Sequence, residues 1–232
     1  MRDAVRRTIV YAMTALGAVW LARNLYVILL ALPDEVAQGA IYRIFFFHLP
    51  AWFTCFTAFF AAGVASTLYL IRRSPGYDAF AVAAVEVGVA FTLIGLVTGM
   101  VWARIIWGIW WTWDPRLTWA FITLLVYLGY LMLRRAIDEA TERAKNSAVL
   151  CIFAFTSVVI TYKAIDWWRT QHPGPVLSFR TGGGTIDPAM ESMLFQNWFA
   201  LLLVASALVL IRMRQERIER EVDALRRRAH AL

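Results

Sequence analysis

The chain is 232 residues long, 60% hydrophobic and 15% aromatic, with a mean hydropathy of +0.59 and a formal net charge of +7. That is too apolar for a soluble globule and too long for a single membrane anchor, so the composition indicates an all-α polytopic membrane bundle. Apolar runs of about 20 residues span a bilayer as helices, which satisfy their own backbone hydrogen bonds, and their length excludes barrel strands.

A basic amino end, with Arg2, Arg6 and Arg7, precedes the first apolar window at residues 8–32. A signal peptide opens in the same way, but this window is long and lacks a small-residue cleavage site, so it reads as a retained first helix. Its polar pair Arg23-Asn24 is open between a structural contact and a functional one. Residues 33–47 form a first external segment that overlaps the second window, residues 44–71, whose mouth reads Tyr42-Arg43-Ile44-Phe45-Phe46-Phe47-His48-Leu49-Pro50. The connection at residues 72–78, with Arg72 and Arg73, leads to a third window at residues 79–101 with Glu86 in its middle. An ionisable group at that depth is costly and points by default to function, although a protonated carboxyl bonded to a neighbouring helix would look the same.

Residues 102–116 are the second external segment and run into WGIWWTWDPRLTW, residues 107–119; the fourth window, residues 117–133, is short. After the charged connection 134–146 come the fifth window, residues 147–165, the third external segment, residues 166–192, and the sixth window, residues 193–213. Within the third segment, Gly182 to Gly184 follow no strand and lack phosphate-loop spacing, so they read as a bend. The basic tail, residues 214–232, suits a helix that leaves the membrane, with Ile211, Ile218, Val222 and Leu225 at near-helical spacing among Arg and Glu. The whole is one integral-membrane domain. Cys55 and Cys151 lie in apolar windows and no CxxC or CxxCH occurs, which argues against disulfide exchange and covalent haem attachment.

Sixteen Lys and Arg fall on the side of the termini against six on the other side, so the positive-inside rule makes both termini cytoplasmic. The net positive charge belongs to that face, where it meets anionic lipid, and is no argument for nucleic acid. The tryptophan segment is then external, and periplasmic in a bacterium.

That segment holds five tryptophans in thirteen residues. A helical course over residues 107–113 would put Trp107, Trp110, Trp111 and Trp113 within an arc of about 160°, one aromatic face. An ordinary aromatic belt spaces its rings more widely. Asp114 before Pro115 suits a helix N-cap followed by Pro at the first helical position, which makes the aromatic piece a separate element hinged to the fourth helix. Of the three histidines, His230 sits in the charged tail and is incidental. His48 ends the aromatic mouth of the second window, and His172 follows Trp167 and Trp168 on the same side. Two neutral imidazoles can take the axial positions of a haem iron, while aromatic walls suit the macrocycle. External Arg43, Arg104 and Arg116 can meet the two propionates, although each could instead pair with an acid such as Asp34, Glu35 or Asp114.

WGIWWTWDPRLTW resembles the tryptophan-rich WWD signature of haem-handling membrane proteins. With six windows and one histidine on each side of the signature, the chain over essentially its whole length is similar to the haem exporter protein C family, also called cytochrome c maturation protein C. The resemblance implies a haem-delivery subunit, not a catalyst, that carries haem b without a covalent bond in the bacterial inner membrane. The partners it implies are ABC-type transporter subunits (maturation proteins A and B), a small membrane peptide (maturation protein D) and a periplasmic haem chaperone (maturation protein E) that receives the haem. It also implies His48 and His172 as axial ligands, and Trp107, Trp110, Trp111, Trp113, Asp114 and Trp119 as the haem platform. Arg43, Arg104 and Arg116 become propionate or handover contacts.

Two other classes compete. A quinol-linked b-type haem oxidoreductase would place histidine pairs on facing helices inside the membrane, and no histidine here is at mid-membrane. An ABC-transporter permease would need a polar pathway through the bundle, for which Glu86 and Arg23-Asn24 are the candidates.

Overall fold

The structure is a computed structural model that describes residues 2–174 and 187–230. The triplet Gly182 to Gly184 lies outside the described residues. Six helices follow in chain order: α1 (Arg2–Tyr26), α2 (Phe45–Arg72), α3 (Pro75–Trp107), α4 (Pro115–Ala136), α5 (Ala140–Trp167) and α6 (Pro188–His230). Each is long and apolar enough to cross a membrane, and among the described residues the only β pairing is an isolated bridge between Glu35 and Gly39. This is the expected polytopic helical bundle.

Lipid is as apolar as leucine, so helices in a bilayer associate by close packing and by buried polar contacts. Along α2 the residues Ala51, Cys55, Phe59 and Ala62 recur at helical spacing and are fully buried. They meet Val82, Val85 and Val89 of α3, Tyr127 and Tyr130 of α4, and Cys151, Ala154 and Val158 of α5. Phe59 stacks on Tyr127 with ring centroids 3.7 Å apart. Helix α2 packs most extensively on α3 and also touches α5 and α6, which makes it the central helix. Helix α1 docks chiefly on α6, and its Tyr11, Leu16, Val19 and Leu25 stay exposed.

Two boundaries and one side chain differ from the sequence reading. Helix α3 runs on through residues 102–107, which were expected in an external segment, and stops at Gly108, whose positive φ of 77° is the usual helix-ending conformation. Helix α6 begins at Pro188, ahead of its window at residues 193–213, and continues to His230, as the helical spacing in the tail suggests. Glu86 is not a lone carboxyl in mid-membrane: both its oxygens accept hydrogen bonds from the Arg212 guanidinium of α6. Close by, Arg134 donates to Asp78 at 2.7 and 3.1 Å and to Glu216 at 3.1 Å, and Arg220 also pairs with Asp78. Buried charges need partners, and these satisfy one another. Arg23-Asn24 is likewise a contact between helices: Arg23 donates to Gln196 at 2.6 Å and Asn24 to Asn197 at 3.3 Å.

The charge network joins the start of α3 to the end of α4 and the lower half of α6. The aromatic mouth of α2, the last turns of α3 and α5, and the first turns of α4 and α6 gather at the opposite end.

A candidate haem site

At that opposite end the helices diverge around a cavity of about 480 Å³, within the roughly 300–1,000 Å³ typical of cofactor-sized sites. Its walls are mostly apolar. His48 enters from α2 and His172 from the loop after α5, while Trp107 ends α3, Trp111 comes from the segment joining α3 to α4, and Arg116 stands in the first turn of α4. Both sequence-predicted histidines therefore line one cavity, although 124 positions apart.

The hydrogen-bond partners favour one nitrogen of each ring as the one offered to the cavity. The Thr98 hydroxyl has carbonyls to donate to, Ile94 at 2.7 Å and Gly95 at 3.1 Å, and so is placed to accept at its 3.1 Å contact with His48 Nδ1. His172 Nδ1 lies 2.9 Å from the Pro173 carbonyl, which can only accept. Both rings thus carry their proton on Nδ1 and leave the Nε2 lone pair free, the state of a ligating imidazole held by an outer partner. His48 is packed in place: a Cβ on Gly99 would come within 2.8 Å of its Cε1, and the Trp102 ring meets it edge-on at 5.9 Å. Burial, and next the Arg116 guanidinium, push the His172 imidazole down to about 4, so it is neutral at ordinary pH.

Asp114 organises the loop that carries His172. One carboxylate oxygen caps α4 by accepting from the Arg116 N–H at 2.9 Å, and Pro115 takes the first helical position as expected. The other oxygen accepts from the Thr170 hydroxyl at 2.6 Å and the Gln171 N–H at 3.0 Å. Thr170 in turn accepts from the His172 N–H at 3.0 Å, and Gln171 donates to Thr112 at 2.9 Å.

The donor set fits a haem. Two imidazoles fall short of the four ligands of a structural zinc but match the two axial positions of an iron already held by a macrocycle. The sequence profile of the family described as Heme exporter protein C matches residues 3–228. The chain belongs to the heme exporter protein C family. Heme exporter protein C of Bradyrhizobium diazoefficiens is 37% identical over 96% of this chain and 87% of its own length. The proteins of the same description from Paracoccus denitrificans and Escherichia coli K12 are 35% and 32% identical, over 83% and 78% of this chain and 80% and 73% of their own lengths.

The WWD segment of this family member departs from the helical face drawn from sequence. Residues 109–113 are irregular, so the four rings do not share one face. Trp107 and Trp111 turn into the cavity, whereas Trp110 and Trp113 are 54% and 74% exposed and do not line it. Trp119 lies on α4 stacked with Trp168 at 6.5 Å, and Asp114 is a clasp and not part of a platform. Of the three arginines only Arg116 lines the cavity. Arg104 donates to the Gly108 carbonyl and closes α3. Arg43 is committed elsewhere: it donates to the carbonyls of Ile28 at 2.8 Å and Leu32 at 3.1 Å and pairs with Asp34 at 2.5 Å. Those carbonyls belong to a π turn, Val27–Ala31, and to Leu32 just after it, where the end of the first membrane span leaves acceptors without helical partners.

Several walls were not anticipated. Trp52, Trp102 and Trp198 line the cavity from α2, α3 and α6, and Trp102 is held by a 2.8 Å hydrogen bond from its indole N–H to Gln38. A signal was present for Trp52, which follows His48 by four residues, one helical turn. Gly95 and Gly99 form a G-x-x-x-G pair on α3, a spacing that lets helices approach closely. A Cβ on Gly95 would fall 2.8 Å from Trp52. Nothing local marks Trp198, whose place depends on how α6 packs.

Proposed function

We propose that this chain is the haem-presenting subunit of a cytochrome c maturation system in the bacterial inner membrane, and that it holds its cargo without transforming it. The observation that carries this reading is the pair of imidazoles on one apolar cavity, each with Nδ1 committed to an acceptor and Nε2 free. The names of the relatives, which are heme exporters, support the same ligand.

In this reading the cargo is haem b. His48 and His172 supply the axial nitrogens, Trp52, Trp102, Trp107 and Trp111 supply apolar and aromatic wall, and Arg116 supplies the cation for a propionate. His48 is the fixed ligand, since it sits 7% exposed on a helix between Thr98 and Gly99. His172 is the ligand that can be withdrawn, since the residues just before it are clasped by Asp114 from outside the helices. Release to a periplasmic haem chaperone then needs the loop to loosen and not a helix to move. The excess of Lys and Arg at the other end supports a periplasmic site with cytoplasmic termini. ABC-type transporter subunits and a small membrane peptide complete the assembly.

The test is the haem content and Soret band of the detergent-purified protein with His48→Ala and His172→Ala. Both variants are expected to lose haem and shift the band. Unchanged haem in both would refute the axial pair.

A further inference from the structure

The polar contact between α1 and α6 has a specific target in α2. Pro50 lies inside α2 and has no N–H, so the Phe46 carbonyl one turn earlier loses its helical partner. At membrane depth such an acceptor needs another donor. It has one: Asn197 Nδ2 of α6 donates to it at 2.5 Å. Asn197 Oδ1 accepts from Asn24 Nδ2 of α1 at 3.3 Å, and Asn24 Oδ1 accepts from Arg23 at 3.1 Å. Asn197 is 1% exposed and Asn24 fully buried. The turn between Phe46 and Pro50 has His48 at its centre, and the His48 ring has no slack on its far side, where Gly99 leaves space for a hydrogen only.

We propose that Asn197, oriented by Asn24, is a positioning residue for His48. It stands in for the amide that Pro50 lacks, and so fixes the first turn of α2 and the direction in which His48 Nε2 points. A proline within a helix both frees a carbonyl and bends the axis, so the aim of His48 depends on what holds that carbonyl. Neighbouring helices commonly satisfy carbonyls freed by proline in membranes. Here the donor is a buried amide whose donor and acceptor are both in use, which ties helix α1 to the turn that carries His48.

The inference rests on His48 as an axial ligand, and the experiment separates the two. Full-length protein, Asn197→Leu, Pro50→Ala, the double variant and His48→Ala are purified in detergent and titrated with haem, with affinity and the low-spin bis-imidazole signature as readouts. Leucine keeps the branching of Asn197 at a larger volume and removes the amide, and alanine at position 50 restores an N–H that can reach the Phe46 carbonyl. With Pro50 in place, Asn197→Leu is expected to weaken haem binding by about tenfold, the scale of lost outer-shell support, and to diminish the low-spin signature. In the Pro50→Ala background the same substitution should cost less than about twofold, because the coupling between the two sites is the carbonyl itself. An equal loss in both backgrounds, or no loss with Pro50 in place, overturns the proposal. If Asn197→Leu alone fails to accumulate, the comparison of Pro50→Ala with the double variant decides: equal binding supports the proposal and a tenfold gap refutes it. An unchanged spectrum in His48→Ala would instead remove the axial-ligand reading, and the positioning role with it.

Discussion

Asp114→Asn tests how the loop carrying His172 is held. The carboxylate now accepts three hydrogen bonds: the Arg116 N–H at 2.9 Å on one oxygen, and the Thr170 hydroxyl at 2.6 Å and Gln171 N–H at 3.0 Å on the other. An asparagine of the same shape has one acceptor oxygen and one amide donor. It can cap α4 or clasp the loop, but not both, because the amide would face either the Arg116 N–H or the Gln171 N–H. Hydrogen bonds to a charged group are worth about 1.5–3 kcal/mol each, and an N-cap about 1 kcal/mol. With the cap worth about 1 kcal/mol and two bonds on the loop side, the cheaper arrangement turns the amide oxygen to the loop, where both bonds still drop from charge-assisted to neutral strength, about 0.5–1.5 kcal/mol each. The loss then falls on the placement of His172, and about 1.5–3 kcal/mol corresponds to a roughly ten- to hundredfold drop in the population with His172 in place. The assay is haem titration of purified protein followed by its visible spectrum. The expected result is weaker binding with loss of one imidazole, while His48 still ligates and the thermal unfolding temperature falls only slightly. An Asp114→Asn protein with parental affinity and a parental spectrum would refute the clasp.

Three further outcomes are expected. Thr98→Val removes the acceptor for His48 Nδ1–H while keeping the volume, so haem affinity should fall about tenfold, as for other outer-shell partners; an unchanged titration would show that the tautomer is not held there. His172 should titrate near 4 in the haem-free protein by proton NMR, and Arg116→Ala should raise that value, since the guanidinium is one cause of the depression. The sign follows: a histidine kept neutral when folded loses stability as pH falls from the ordinary value of about 6.5 toward 4, because the unfolded chain takes up the proton first. A midpoint near 6.5 would place His172 in open solvent. Arg43→Ala and Arg116→Ala should part company: the first lowers thermal stability with little change in haem affinity, since it strips donors from the Ile28 and Leu32 carbonyls, and the second weakens haem binding with little change in stability. The opposite pattern would return Arg43 to the propionates.

Much of the site was legible because some of its signals are local. A bilayer makes span length a one-dimensional property, and an Asp-Pro pair caps a helix wherever it occurs, so six helices, the hinge at Asp114-Pro115 and two histidines on one side followed from the order of residues alone. The direction of each tryptophan did not. A positive φ at Gly108 breaks the helical periodicity that would have aligned the rings, and a side chain's direction in irregular backbone depends on its neighbours.

The sequence by itself determined the spans, the crowding of aromatic and cationic residues toward one end, and the kinds of group able to meet a haem. Only the tertiary structure decided which of those groups share a cavity. It set Arg116 beside the histidines and spent Arg43 and Arg104 on helix ends. It gave Glu86 the Arg212 side chain of a distant helix, and it gave the carbonyl freed by Pro50 an amide 151 positions away. The physical reason is that an arginine, a carboxylate or an open carbonyl must find a partner in an apolar medium. Which partner it finds depends on the packing of helices whose mutual register no local stretch of sequence records.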